Sequence, residues 1–109
     1  MLAFSSKWTE AILTGKKNLT FRKWPAARVK PGKVYDAATI GRPPKKFARI
    51  LVTGIRKIRL SDIDESLARR DGASSPKEVQ DYWKKQGFGP NDELWLVEFE
   101  LSREGEKGP

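Results

Sequence analysis

Apolar positions along this chain recur with two periods, and they divide it into strands and helices. From Leu19 to Arg22 the pattern alternates, Leu19 and Phe21 against Thr20 and Arg22, as in a half-buried strand. A first strand is predicted over about 18–23. Before it, Trp8, Ala11 and Ile12 stand at helical spacing behind a Ser5 or Ser6 cap, and Gly15 suits the left-handed position past a helix end. Residues 24–30 are basic and irregular, with Pro25 against a continuing strand. Pro31-Gly32 is a turn, 33–40 a second strand, and 41–46 a loop with two prolines. Residues 47–59 are a long β-rich segment in which Gly54 marks a bulge or bend.

The second half begins with Ser61-x-x-Asp64, a helix start for a short helix to about Arg70, broken at Asp71-Gly72. Ser75-Pro76-Lys77-Glu78 is a stronger start, with a Ser cap, Pro in the first position and Glu three residues on. Val79, Tyr82, Trp83 and Gln86 then share a face, and Gly87 ends the helix. The last strand is predicted over 93–101, with Leu94, Leu96 and Glu98 on one side and Trp95, Val97 and Phe99 on the other. Residues 102–109 carry no apolar side chain and read as a frayed tail. The prediction is a small α+β domain over residues 1–101 with four strands. Periodicity alone does not separate a barrel from an open sheet.

Composition narrows the chemistry. A length of 109 residues corresponds to one domain. The chain has no Cys and no His, which excludes disulfides, thiolate or His-based metal sites and any Ser-His-Asp triad. Catalysis here must use Lys, carboxylates, hydroxyls or backbone groups, and no metal or cofactor is expected. No apolar run approaches the ~20 residues of a membrane span, so a cytoplasmic protein is expected. Net charge is +8, but residues 1–59 hold 15 Lys and Arg against two acids, while residues 60–109 hold 7 against 12. That asymmetry suggests a basic surface for a polyanion, nucleic acid above all. The alternative is that the lysines serve only solubility or thermal stability.

If Leu19 and Phe21 face a core, Thr20 and Arg22 project together on the other side, with Lys17 just before them. A Thr hydroxyl is a weak nucleophile until a base takes its proton. With no His, Lys17 is the candidate base, its pKa lowered by burial or by nearby cations such as Lys16 and Arg22. Asp71, at the break after the short helix, is the candidate acid. Arg22 either forks onto a phosphate or base edge or pairs with Glu98 or Glu100. Trp24 either stacks on an unpaired base beside Lys23 and Arg28 or belongs to the core; Trp8, Trp83 and Trp95 read as core. Lys45 and Lys46 suit a phosphate-contacting arm, and Arg49 falls on the face of Leu51 and Thr53, where it lines the cleft. Binding without catalysis, a ribonuclease using Tyr35 or Tyr82, and a protein-interaction module remain alternatives.

Gly15, Lys17, Thr20 and Arg22 stand as G-x-K-x-x-T-x-R, and this run resembles the signature of the ASCH domain, a relative of the PUA-like RNA-binding fold. The resemblance extends over roughly 2–101. It implies a small, strongly curved β-barrel with two to three helices packed at its ends, with RNA or a modified nucleoside as partner; separately, a monomer is expected. Some ASCH proteins are metal-free amidohydrolases that remove the acyl group from acetylated cytidine with a Lys, a Thr and a later Glu. Lys17 and Thr20 match the first two. Asp71 falls near the third position, one methylene shorter, and Glu65 is the fallback.

Overall fold

The structure is a computed structural model and describes residues 1–102. Five strands form one mixed sheet: β1 (Leu2–Phe4), β2 (Leu19–Arg22), β3 (Val34–Thr39), β4 (Lys45–Arg59) and β5 (Glu93–Leu101). Three short helices accompany them: α1 (Thr9–Leu13), α2 (Glu65–Arg70) and α3 (Pro76–Lys85). Single 3₁₀ turns stand at Ser6–Trp8 and Leu60–Asp62. The order across the sheet is β1-β3-β4-β5-β2, with β1 parallel to β3 and every other pair antiparallel. The sheet curls into a half-barrel, so the fold is α+β and the expected curvature is present.

Curvature comes from β4. Its 15 residues pair with β3 at one end and with β5 from Ile50 onward. The register slips between Val52 and Gly54, and again between Ala37 and Ala38 on β3. An extra residue at a bulge bends and twists a strand. Gly54 also makes room for its neighbour: a Cβ there would lie 2.9 Å from Oε1 of Glu98.

Both faces of the sheet are buried. Leu19 and Phe21 of β2 join Leu94 and Leu96 of β5 under Ala68 of α2 and Val79 of α3. The alternate residues Val97 and Phe99 of β5 turn into the barrel, against Phe4, Ile12, Ile50 and Val52. The period-2 reading of β2 and β5 therefore holds, yet the face opposite Leu19 and Phe21 is a second interior and not solvent.

Three local expectations change. Lys45 and Lys46, expected in a loop, open β4 and pair with Thr39 and Ala38, because the two prolines end before them. The N-terminal strand β1 was not anticipated; it is three residues long and pairs with a segment some 35 positions away, so no local pattern announces it. Ser61 lies in a 3₁₀ turn and does not cap α2; Asp64 does, its Oδ1 accepting from the Leu67 N–H at 2.9 Å. Ser75 caps α3 as expected, with Pro76 in the first turn. Ser102 is held, its N–H donating to the Arg49 carbonyl at 2.9 Å, and the rest of the expected tail, 103–109, lies outside the described residues.

Asp64→Ala removes the cap from the helix that ends at Asp71. It is expected to lower unfolding stability by about 1 kcal/mol, read as a lower urea midpoint. An unchanged midpoint would show that tertiary packing alone holds α2.

Candidate functional site

The end of α1 sets the first functional residue. Gly15 adopts φ +82°, and the chain turns back so that the Lys17 N–H donates to the Ala11 carbonyl at 2.9 Å. Next in the chain, Asn18 ties β2 to the end of α2. Its N–H donates to the Arg70 carbonyl at 2.9 Å, and its Oδ1 accepts from Arg70 Nε at 2.8 Å. Arg70 also pairs with Glu98 at 2.9 Å, the carboxylate for which Gly54 leaves space. This clip brings Asp71 to Lys17 across 54 positions of sequence.

Lys17 is 3% exposed, which is rare for a lysine. Its ammonium donates to the Leu19 carbonyl at 3.0 Å, the Asp71 carbonyl at 2.8 Å and Asp71 Oδ1 at 2.6 Å. An ammonium has three donors, and three acceptors surround this one. Burial is the largest influence on both partners. It pushes Lys17 below its ordinary value and Asp71 above its own, against their mutual attraction. Burial thus moves each toward its uncharged form, while their mutual attraction holds them as an ion pair. Perturbation of this kind in a cleft is a mark of functional sites.

Thr20 is also buried, and its Oγ1 accepts from Arg22 Nε at 3.4 Å. The hydroxyl hydrogen is thereby left to point elsewhere. Arg22 reaches across the barrel seam: its Nη2 donates to the Ala3 carbonyl on β1 at 2.8 Å, and its guanidinium lies 4.8 Å from the Phe4 ring centre. Since β1 and β2 are the two edges of the sheet, Arg22 joins them. The alternative pairing of Arg22 with Glu98 does not form, because Glu98 faces Arg70.

Lys17, Thr20, Arg22 and Asp71 all line one cavity of about 260 Å³ at this seam. That is close to the lower end of small-molecule sites, roughly 300 Å³, and suits a nucleobase-sized group. Apart from Tyr82, considered only for a ribonuclease, its other walls were not among the expected site residues. Trp8 packs half-buried against the barrel core as expected and also walls the cavity, its ring 5.0 Å from the Lys17 ammonium and 4.8 Å from that of Lys7. Gly72, at φ +96°, lies against that indole so closely that a Cβ would come within 2.5 Å of it. Glu78, Tyr82 and Trp83 of α3 complete the lining. The i, i+4 spacing of Glu78 and Tyr82 was the available signal.

The remaining expected binding residues lie outside the cavity lining. Lys16, Arg28 and Lys45 are exposed. Lys46 and Arg49 are exposed and meet Asp36 at 3.1 and 3.5 Å, so Arg49 faces outward and not into the cleft. Trp24 packs against the barrel interior, and its carbonyl accepts from Trp95 Nε1 at 3.1 Å. The fallback acid Glu65 is exposed and pairs with Arg69 at 3.2 Å. Among the described residues no cluster of three or more His, Cys, Asp or Glu is placed to hold a metal, and no helix is long and apolar enough to cross a membrane.

Removing one member of a buried pair strands the other, whereas replacing both with apolar groups is often tolerated. Lys17→Met is expected to cost about 3 kcal/mol, and Lys17→Met/Asp71→Leu distinctly less, by urea unfolding. The wild type should also gain stability relative to the double variant at both pH extremes. It gains as pH rises from the lowered Lys17 pKa toward 10.5, where only the unfolded lysine still holds its proton. It gains again as pH falls from the raised Asp71 pKa toward 3.8, where only the folded carboxylate has taken one up. A pH-independent difference would mean that neither group is shifted.

No protein-family model matches this chain, and no curated protein matches it. Solved structures do. A protein from Enterococcus faecalis V583 in the DUF984 family superposes with TM-score 0.71 at 17% identity, over 94% of this chain and 72% of that one. The ASCH domain from Lactobacillus crispatus gives 0.70 at 16%, over 85% and 69%. The ASCH protein of Zymomonas mobilis gives 0.67 at 13%, over 92% and 67%. At these identities the likeness concerns architecture, and the architecture of this chain is that of the ASCH domains.

Proposed function

We propose that the seam cavity binds an acylated nucleoside and hydrolyses its amide, with Lys17, Thr20 and Asp71 as the reacting groups. The observation that carries this reading is the buried Lys17–Asp71 pair beside a buried Thr20, in a cavity of nucleobase size. Movement of the shared proton along the 2.6 Å bond leaves a neutral Lys17 amine and a protonated Asp71, a base and an acid with no net change in charge. Lys17 then takes the Thr20 hydroxyl proton as the oxygen attacks the amide carbon. Arg22, already hydrogen-bonded to that oxygen, supplies positive charge as the tetrahedral oxyanion forms. Asp71 protonates the departing amine as the carbon–nitrogen bond breaks. Water hydrolyses the acyl-threonine, releasing the acid and restoring the hydroxyl. The use of the shorter Asp71 is supported by the clip, which holds its backbone carbonyl as well as its carboxylate on Lys17.

Incubation with N4-acetylcytidine should release cytidine, followed by chromatography, and Lys17→Ala should abolish the release. Thr20→Val should reduce it by at least about 100-fold. A folded wild type with no turnover would sink the reading.

The rate should also follow a bell in pH. An added proton removes the base on the acid side, and a lost proton removes the acid on the alkaline side. Because Asp71 is raised above 3.8 and Lys17 lowered below 10.5, both limbs should fall between these values and belong to the pair as a unit. A rate that only climbs with pH would indicate hydroxide attack instead.

A second reading is RNA contact by the exposed basic residues, supported by the +13 carried by residues 1–59. Lys16, Arg28 and Lys45 would meet phosphates in this case, so affinity for single-stranded RNA should fall steeply with salt. Affinity flat between 50 and 200 mM salt, values of the order used for such tests, would exclude it.

A further inference from the structure

We infer that Glu78 and Tyr82 of α3 are the specificity wall of the cavity, and that they select a base whose edge offers an N–H over one that offers a carbonyl. This deepens the nucleoside reading and rests on it. The proposed chemistry uses neither residue, although both line the cavity. They stand one helical turn apart on α3, so a single rigid element presents them.

Glu78 is exposed at the cavity wall and already engages one neighbour. It lies in the first turn of α3, and its Oε2 accepts from Ser74 Oγ at 2.7 Å. An ionised carboxylate only accepts hydrogen bonds, and it has capacity beyond one bond. A ligand edge with an amino or amide N–H would satisfy it, as cytosine N4 does for carboxylates in nucleic-acid recognition. A carbonyl at the same position would bring two oxygen acceptors together. Glu78 and Asp71 line the same cavity, so a ligand nitrogen received by Glu78 would lie in the cavity that also holds the proposed acid.

Tyr82 supplies the apolar part. It is 58% exposed, unusual for so large a ring on the amphipathic α3, and it stands edge-on to Trp83 with ring centres 5.2 Å apart. Trp83 in turn packs on the core beneath the cavity. Tyr82 is thus a braced aromatic surface without a cover, of the kind on which a base stacks regardless of its identity. The two residues have separate roles, since Tyr82 holds any base and Glu78 distinguishes among them.

The test is calorimetric titration of the wild type, Glu78→Gln, Glu78→Ala and Tyr82→Ala with cytidine and with uridine. The wild type is expected to bind cytidine about ten-fold more tightly than uridine, the worth of one charge-assisted hydrogen bond. The preference should shrink in Glu78→Gln, which retains an acceptor for Ser74, and vanish in Glu78→Ala. Tyr82→Ala should weaken both nucleosides several-fold and leave their ratio unchanged. The ratio distinguishes recognition from mere loss of helix stability, which would weaken both ligands alike. Equal binding of the two nucleosides by the wild type, or a preference that survives in Glu78→Ala, overturns the assignment and leaves the nucleoside site standing. Binding of neither overturns both.

Discussion

The site depends on one join between segments far apart in sequence. Asn18 holds the end of α2 through main chain and side chain, and Lys17, one residue earlier, closes on Asp71, one residue later than Arg70. The two contacts are adjacent rungs of one clip. The outer rung is a neutral amide with a guanidinium and is partly solvated. The inner rung is a buried charge pair, whose attraction is offset by the loss of water around both groups. A protein selected for stability alone has little reason to keep that inner rung. The outer rung and the Glu98 contact behind it supply the rigidity that holds the inner rung in the cavity wall.

The same join explains why the cavity exists. A half-barrel has two free strand edges, and here they approach each other at β1 and β2. Arg22 bridges them with one hydrogen bond to Ala3 and leaves the rest of the seam open. Apolar side chains fill the barrel interior up to that point, and the polar residues of β2 occupy what remains. Curvature introduced at the Gly54 bulge, remote from the seam in the sheet order, thus determines how close the two edges come.

Much of this was legible in the residues. Alternation placed Thr20 and Arg22 on one side of β2, the Gly15 and Gly72 positions were read as chain breaks, and the absence of His and Cys reduced the reactive groups to a short list that contained Lys17 and Asp71. What alternation could not convey is that both faces of the sheet are covered, so that the polar face points into a barrel. The strand β1 escaped because three residues carry no period and its partner is distant. Trp8 does pack against the barrel interior, but a large apolar side chain at helical spacing does not reveal that it also walls a cleft, which the approach of Gly72 and two lysines shows. Of the basic residues, Arg49 was the one expected in the cleft, and it faces outward. Clustering in sequence did not become clustering at the cavity, since β4 carries Lys46 and Arg49 to the β3 side of the sheet, where they meet Asp36.

The contact between Gly72 and Trp8 has an optical consequence. The indole touches the residue that follows Asp71, and the Lys17 ammonium stands over its ring. Indole emission responds to charge and to solvent at the ring face, so one of the four tryptophans is a built-in fluorophore for the protonation of the buried pair. An indole in the cavity wall beside a buried charge pair would report a change in that pair's charge, or the entry of a ligand, without any added label.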